Sequence, residues 1–240
     1  MIGALLLAAG SGTRMGGVVE DKLIHPIGTS NAFTLSCGAF LQSNKVKWLV
    51  IVYKDEPQLI RLKESLEHLF HRLNNPEPIH VDWEKGGQER QDSVWLGLQK
   101  FPQKITHILV HDCARPFIRP ETISLAADAI IQDRAVAVAR PLKDTLRQRS
   151  ENTEHPINPT ATRTLDRNNL WLMETPQGAP KDWLIQGLQK ARDQGILITD
   201  EIAAVELLKH PTGMIEPDYP NPKITTPEDF AYAEFLSRYE

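Results

Sequence analysis

The sequence predicts an α/β fold, a mostly parallel sheet with helices packed on it, and three observations carry that expectation. Short apolar runs alternate with longer amphipathic ones, the pattern of right-handed strand–helix–strand units. One run, Val46 to Tyr53, is almost continuously apolar, as a strand covered on both faces should be. The composition, 41% hydrophobic and 24% charged over 240 residues, is that of an ordinary globular protein, long enough to bury a substantial core.

Ile2–Ala9 reads as the first strand and Val46–Tyr53 as the second. A helix follows over Pro57–Leu73, where Leu59, Leu62, Leu66, Leu69 and Leu73 fall on one face. Ile79–Trp83, Ile105–His111 and Ala135–Ala139 are the next strands. Gln91–Phe101 and Glu121–Gln132 are the helices between them, the latter entered through Pro120. From Pro141 to Asn169 the pattern changes. Leu142–Arg149 and Thr160–Leu165 read as two strands, joined by a polar turn over Ser150–Pro159. An isolated hairpin is marginal in water, so this arm, about residues 141–169, is expected to lie against another subunit, the alternative being a mobile loop. Lys181–Gln194 is helical, with Gly195 as its C-cap. Thr199-Asp200-Glu201 opens a helix through Leu208, with Thr199 or Asp200 as the cap. Thr226-Pro227-Glu228-Asp229 combines a cap, a first-turn proline and acids, and starts a last helix running to about Tyr239. No repeat and no linker interrupts the chain, so residues 1–240 are expected to form one domain.

The balance of 27 basic against 31 acidic residues, net −4, argues against a nucleic-acid partner, which would need a basic footprint. No apolar run approaches the length of about 18 residues that marks a membrane span. No basic leader precedes Ile2. Cys37 and Cys113 give neither a disulfide framework nor zinc spacing. A reducing compartment, the cytoplasm, is expected.

Three stretches carry chemistry. In Leu7-Ala8-Ala9-Gly10-Ser11-Gly12-Thr13-Arg14-Met15-Gly16, small residues let a ligand approach and turn amides face an anion. Met15 stands where a dinucleotide fingerprint needs glycine, and no lysine arrives at the Walker A position. Arg14 and Lys22 supply cations instead, so the turn is read as a phosphate site. Gly86-Gly87-Gln88-Glu89-Arg90-Gln91-Asp92-Ser93 follows a strand and opens a helix, again allowing close backbone approach. His111-Asp112-Cys113-Ala114-Arg115-Pro116 ends a strand. A carboxylate beside a phosphate site suits Mg²⁺, which makes Asp112 the candidate ligand. Adjacent strand residues face opposite sides, so a His–Cys113 nucleophilic pair is discounted and Cys113 reads as a small buried side chain. Arg115 has two readings, an ion pair with an acid or a substrate contact.

Taken with Asp144-Thr145, Asp166-Arg167-x-x-Leu170-Trp171, Thr175-Pro176-Gln177, Thr199-Asp200-Glu201 and Lys223-Ile224-Thr225-x-Pro227-Glu228-Asp229, these stretches resemble the 2-C-methyl-D-erythritol 4-phosphate cytidylyltransferase family of non-mevalonate isoprenoid synthesis. The resemblance covers nearly the whole chain. It implies a Rossmann-like three-layer sandwich with a protruding β-hairpin arm for dimerisation. It implies transfer of CMP from CTP to the sugar phosphate, with pyrophosphate leaving and Mg²⁺ assisting. Arg14 and Lys22 would then be catalytic. Ala8, Ala9, Gly10, Gly12, Gly87, Gln88, Ser93 and Ala114 would hold CTP. Arg115, Thr145, Arg167, Thr175, Thr199 and Lys223 would hold the acceptor, with Arg167 serving the partner's site in a homodimer. Three departures stand out: Asp21-Lys22-Leu23 where relatives have Pro-Lys-Gln, Gln88 where an acid is common, and Gly178-Ala179 where an aromatic is frequent. Asp21 is placed to pair with Lys22 and partly quench it. The competing readings are a cytidylyltransferase for ribitol 5-phosphate and a non-catalytic nucleotide-binding homologue.

Overall fold

The computed structural model of the protein describes residues 1–10, 12, 15, 20–73, 79–149 and 162–239. Strand β1 (Ile2–Leu7) is followed by a small hairpin, β2 (Pro26–Ile27) and β3 (Ser30–Asn31), and by helix α1 (Ala32–Gln42). Then come β4 (Val46–Tyr53), α2 (Glu56–Leu73), β5 (His80–Lys85), α3 (Arg90–Leu98), β6 (His107–Asp112), α4 (Pro120–Ile130) and β7 (Ala135–Pro141). A short antiparallel pair, β8 (Arg147–Arg149) and β9 (Thr162–Thr164), precedes β10 (Trp171–Pro180). The chain ends with α5 (Lys181–Asp193), α6 (Glu201–Glu206), β11 (Thr212–Ile215) and α7 (Pro227–Leu236).

Seven strands form one sheet in the order β11-β7-β10-β6-β1-β4-β5. The pairs β1–β4, β1–β6, β4–β5 and β7–β11 are parallel, and β10 runs antiparallel to both its neighbours. Side chains alternate across each strand. Ala4 and Leu6 of β1 therefore join a core with Phe33, Phe40, Leu62 and Ile123 on one side. Leu5 joins Val94, Leu98, Leu184 and Val205 on the other. The sheet is thus covered on both faces, and the α/β layered expectation holds. The leucine stripe of α2 is buried at Leu59, Leu62, Leu66 and Leu69. The arm strands are shorter than the sequence suggests, and the turn expected over Ser150–Pro159 lies outside the described residues.

The short strands β2, β3 and β11 and two longer elements have no signature in the sequence reading. Helix α1 is buried at nine of its eleven residues, so it shows no polar face and no amphipathic period. Its start is fixed locally, since Asn31 Oδ1 accepts the Thr34 N–H at 2.9 Å. Strand β10 carries Pro176 and Gly178, residues that ordinarily argue against a central strand. The register shifts between Met173 and Gln177, so Pro176 sits in a bulge where the ladder needs no N–H. A Cβ at Gly178 would lie 2.5 Å from Leu109 Cδ2 and 2.8 Å from the Ile108 carbonyl. The strand therefore passes β6 only without a side chain there.

Candidate active site

Ligands of open parallel sheets bind beyond the carboxyl ends of the strands. There, past β1, β4 and β6, lies a cleft of about 550 Å³. Its first wall is the turn after β1. Ala9, Gly10 and Gly12 line it, while Ala8 is fully buried beneath. Gly12 has φ +64°, a left-handed conformation natural to glycine, and its carbonyl accepts the Met15 N–H at 2.8 Å. Arg14 lies outside the described residues. Lys22 reaches the cleft and donates from Nζ to the Ile224 carbonyl at 3.0 Å. The carboxylate of Asp21 accepts the Leu23 N–H at 3.0 Å and the Gln58 side-chain N–H at 2.9 Å. Gln58 is itself buried and donates to the Ala8 carbonyl at 3.2 Å.

The second wall is the Gly86–Ser93 segment. The Gly86 N–H donates to the Tyr53 carbonyl at 2.8 Å. A Cβ on Gly86 would fall 2.5 Å from Ala9 Cβ, so glycine lets the two walls meet. The Ser93 hydroxyl accepts the Gly87 N–H at 3.1 Å, fixing the loop on the first turns of α3. Gly87, Gln88 and Ser93 line the cleft with Ala114.

The opposite side is charged. Asp112, buried at the end of β6, accepts from Lys223 Nζ at 2.6 Å on Oδ2 and from Arg90 Nε at 3.2 Å on Oδ1. Arg90 also donates to Glu201, Nη1 to Oε1 at 2.7 Å and Nη2 to Oε2 at 3.0 Å. Burial pushes the Asp112 carboxyl up, but Arg90 and Lys223 together hold it well below the usual carboxylate range. Burial raises the Glu201 carboxyl, and Arg90 only partly opposes it. Arg90 loses some basicity to burial and regains more from Glu201 and Asp112. Arg90 and Glu201 are absent from the residues the sequence nominates. Arg90 sits inside a quoted motif, but only the fold brings Glu201 to it from a helix start.

Behind this wall runs a hydrogen-bond relay. The Asp112 N–H donates to the Thr175 hydroxyl at 3.1 Å, Thr175 pairs with His111 Nδ1 at 3.0 Å, and His111 Nε2 meets the Arg115 carbonyl at 3.1 Å. A carbonyl only accepts, so Nε2 carries the proton and Thr175 donates to Nδ1. Burial pushes the His111 imidazole down to about 4, keeping it neutral. Thr175, expected at the acceptor, is thus buried behind the wall. Arg115 donates to the Asn221 and Met173 carbonyls, both at 3.2 Å. Thr199 is exposed, and Asp200 rather than Thr199 caps α6, accepting the Ala203 N–H at 2.9 Å. Thr145 and Arg167 are exposed near the arm, where Arg167 donates to the Lys143 carbonyl. Cys113 and Cys37 are fully buried, and burial raises both thiols. That matches a small packing side chain at Cys113.

The family model described as 2-C-methyl-D-erythritol 4-phosphate cytidylyltransferase matches residues 2–238. The chain belongs to this family. It is 33% identical to the enzyme of that name from Prochlorococcus marinus, over 97% of this chain and 96% of the relative. It is 32% identical to the one from Caldanaerobacter subterraneus, over 99% of each. The fold is also that of the crystal structure of 4-diphosphocytidyl-2C-methyl-D-erythritol synthase from Anaerococcus prevotii, with a TM-score of 0.80 over 99% of this chain and 96% of that one, at 21% identity. Family membership makes the protein a nucleotidyltransferase that carries CMP from CTP to 2-C-methyl-D-erythritol 4-phosphate, a step of isoprenoid precursor synthesis. Among the described residues no helix is long and apolar enough to cross a membrane.

Proposed function

We propose a division of labour within the cleft for this cytidylyl transfer. The observation that carries it is the meeting of two lysines 201 residues apart: Lys22 donates to the carbonyl of Ile224, the residue next to Lys223. Two cations from opposite ends of the chain thus converge where an α-phosphate and an acceptor phosphate must come together. The glycine-rich turn with Ala8, Ala9, Gly10 and Gly12 cradles the triphosphate. The Gly86–Ser93 segment, Gly87, Gln88 and Ser93 included, receives cytosine and ribose together with Ala114. Lys223 holds the acceptor phosphate, supported by Arg115, Thr175 and Thr199 from behind and beside it.

An oxygen of the acceptor phosphate attacks the α-phosphorus in line. The new P–O bond forms as the bond to the β-phosphate oxygen breaks, and pyrophosphate leaves with that electron pair. The nucleophile is already an anion at neutral pH, so no general base is required. Catalysis is positioning and charge stabilisation, with Lys22 and Arg14 offsetting charge on the α- and β-phosphates. Asp112 fits as a protein ligand for Mg²⁺: it stays ionised, and its two oxygens offer about four lone-pair sites, of which Arg90 and Lys223 use only some. Mg²⁺ commonly takes one or two carboxylates, with phosphate oxygens and water completing its shell. Among the described residues no group of three acidic, His or Cys side chains is gathered for a metal, which suits an ion held largely by phosphates. When bound, it supplies further neutralisation of the triphosphate.

The arm strands are exposed along their whole length. Leu146 and Leu172 add exposed apolar surface at the arm's root, 38% and 52% accessible. A second copy of the chain is the partner this surface fits, and Thr145 and Arg167 would then serve the partner's cleft. The protein is read as one nucleotidyltransferase domain working in the cytoplasm. Pyrophosphate release is the test, with CTP, ATP, GTP and UTP offered against methylerythritol phosphate and ribitol 5-phosphate. Release confined to CTP with methylerythritol phosphate is expected. Release with ribitol 5-phosphate overturns the acceptor assignment. Light scattering should give a dimer, and a monomer at micromolar concentration removes Arg167 from a site in trans.

A further inference from the structure

We infer that Glu201 is a positioning residue of the transfer: it clamps Arg90, Arg90 fixes one oxygen of Asp112, and the other oxygen is thereby left to aim Lys223 at the acceptor phosphate. The inference rests on Lys223 as the acceptor-phosphate contact and adds to it a reason for the lysine's position.

Four charged groups alternate in sign along one chain of contacts. The Glu201 side chain is 4% exposed, Arg90 28%, Asp112 11% and Lys223 35%, and the last three line the cleft. Helix α6 does not need Glu201 for its own start, because Asp200 already caps it. Nor does stability explain a buried carboxylate, since buried ion pairs give little over apolar packing of the same volume. What Glu201 does is engage both Nη atoms of Arg90, at 2.7 and 3.0 Å. A guanidinium presents its donors in a rigid fork. With one face committed to Glu201, Arg90 turns its Nε edge to Asp112 and meets a single oxygen, Oδ1. Oδ2 then remains for Lys223, 2.6 Å away. Without the Glu201 charge, the same fork is free to grip both oxygens of Asp112 and displace the lysine. The chain also ties α3, which opens from the nucleotide wall, to the acceptor side.

Steady-state kinetics of the full-length protein with CTP and methylerythritol phosphate test this. Glu201→Gln keeps the shape and removes the charge. It should raise the KM for the sugar phosphate about tenfold and leave the KM for CTP within about twofold, roughly the effect of one charge-assisted contact. Arg90→Gln should do the same, and the double variant should be no worse than Arg90→Gln alone, because coupled residues do not add. Unchanged KM values, equal rises for both substrates, or additive effects overturn the inference. If Glu201→Gln does not fold, the double variant removes both members of the buried pair and is read by the same KM asymmetry. Lys223→Met in the same series tests the underlying reading. A rise in sugar-phosphate KM there, with none for Glu201→Gln, overturns the positioning role alone. No rise for Lys223→Met overturns the reading of Lys223.

Discussion

The two sides of the cleft are built from different materials. The side we assign to the nucleotide is backbone: glycines and alanines after β1, and the Gly86–Ser93 loop fixed by Ser93 and Tyr53. The side we assign to the acceptor is charge: Lys223, Asp112, Arg90 and Glu201 arrive from four separate segments and hold one another. Backbone recognition depends on close approach and fails when atoms are added. Charge recognition depends on balance and fails when a partner is removed. Substitutions on the two sides should therefore separate in kinetics, nucleotide-side changes in the KM for CTP and acceptor-side changes in the KM for the sugar phosphate.

Lys22 stands where the two sides meet, and its loss should be the largest effect. Lys22→Ala is expected to lower kcat about 10²–10³-fold, or about 3–4 kcal/mol, the usual consequence of removing a donor to developing charge. Stopped-flow pyrophosphate release measures it, and near-normal turnover would remove Lys22 from the chemistry. The next effect concerns stability and belongs to the acceptor side only. His111 is held neutral in the folded protein with its pKa pushed down to about 4, against about 6.5 unfolded. The unfolded chain thus binds the extra proton between those values. Stability is full above about pH 6.5 and falls as pH drops toward 4, by up to about 3 kcal/mol. The depressed Asp112 carboxyl acts below that window, since its unfolded value is near 3.9. Denaturant titrations from pH 7 to 4 should show the slope in the wild type and lose most of it in His111→Gln. An unchanged slope in the variant would separate His111 from the acid response.

A matched pair then tests the contrast itself. Lys223→Ala removes a charged hydrogen-bond donor, worth about 2 kcal/mol, and should raise the sugar-phosphate KM some thirtyfold. Gly86→Ala forces a methyl against Ala9, and overpacking of this kind costs about 1–3 kcal/mol. It should raise the KM for CTP about tenfold and leave the acceptor's nearly unchanged. If both variants move both KM values together, the two sides act as a single unit and the contrast fails.

The same contrast explains which features were legible in the sequence. Most of the nucleotide side comes from two short continuous stretches of chain, so their small residues and the flanking strands and helices announce them. Parallel strands and the leucine stripe of α2 are equally local signals. The acceptor side is assembled by the fold, so the pairing of Arg90 with Glu201, 111 residues away, leaves no local trace. Thr175 and Arg115 could be nominated by motif. Thr175 is buried against His111, and Arg115 is half-buried against Met173 and Asn221; Thr175 and Met173 belong to β10, a strand hidden by its own proline and glycine. Helix α1 escaped for the opposite reason, being apolar on nearly every side.

The smallest expected effect has an informative sign. Adjacent to Lys22 in the chain, Asp21 reads as a charge that quenches the lysine, and on that reading Asp21→Asn should raise turnover. In the fold, the Asp21 carboxylate accepts from the Leu23 N–H and from Gln58, which in turn holds the Ala8 carbonyl at the end of β1. The acid therefore anchors the turn that carries Lys22 to the buried side of the nucleotide wall. Asparagine keeps one acceptor for Leu23 and turns an N–H toward Gln58, losing about one hydrogen bond of roughly 1 kcal/mol. Turnover should fall by a factor of about three to five, and Gln58→Leu should lower it similarly without adding to Asp21→Asn. A rise in kcat for Asp21→Asn would restore the quenching role and show that local charge, rather than the anchoring of the turn, governs Lys22.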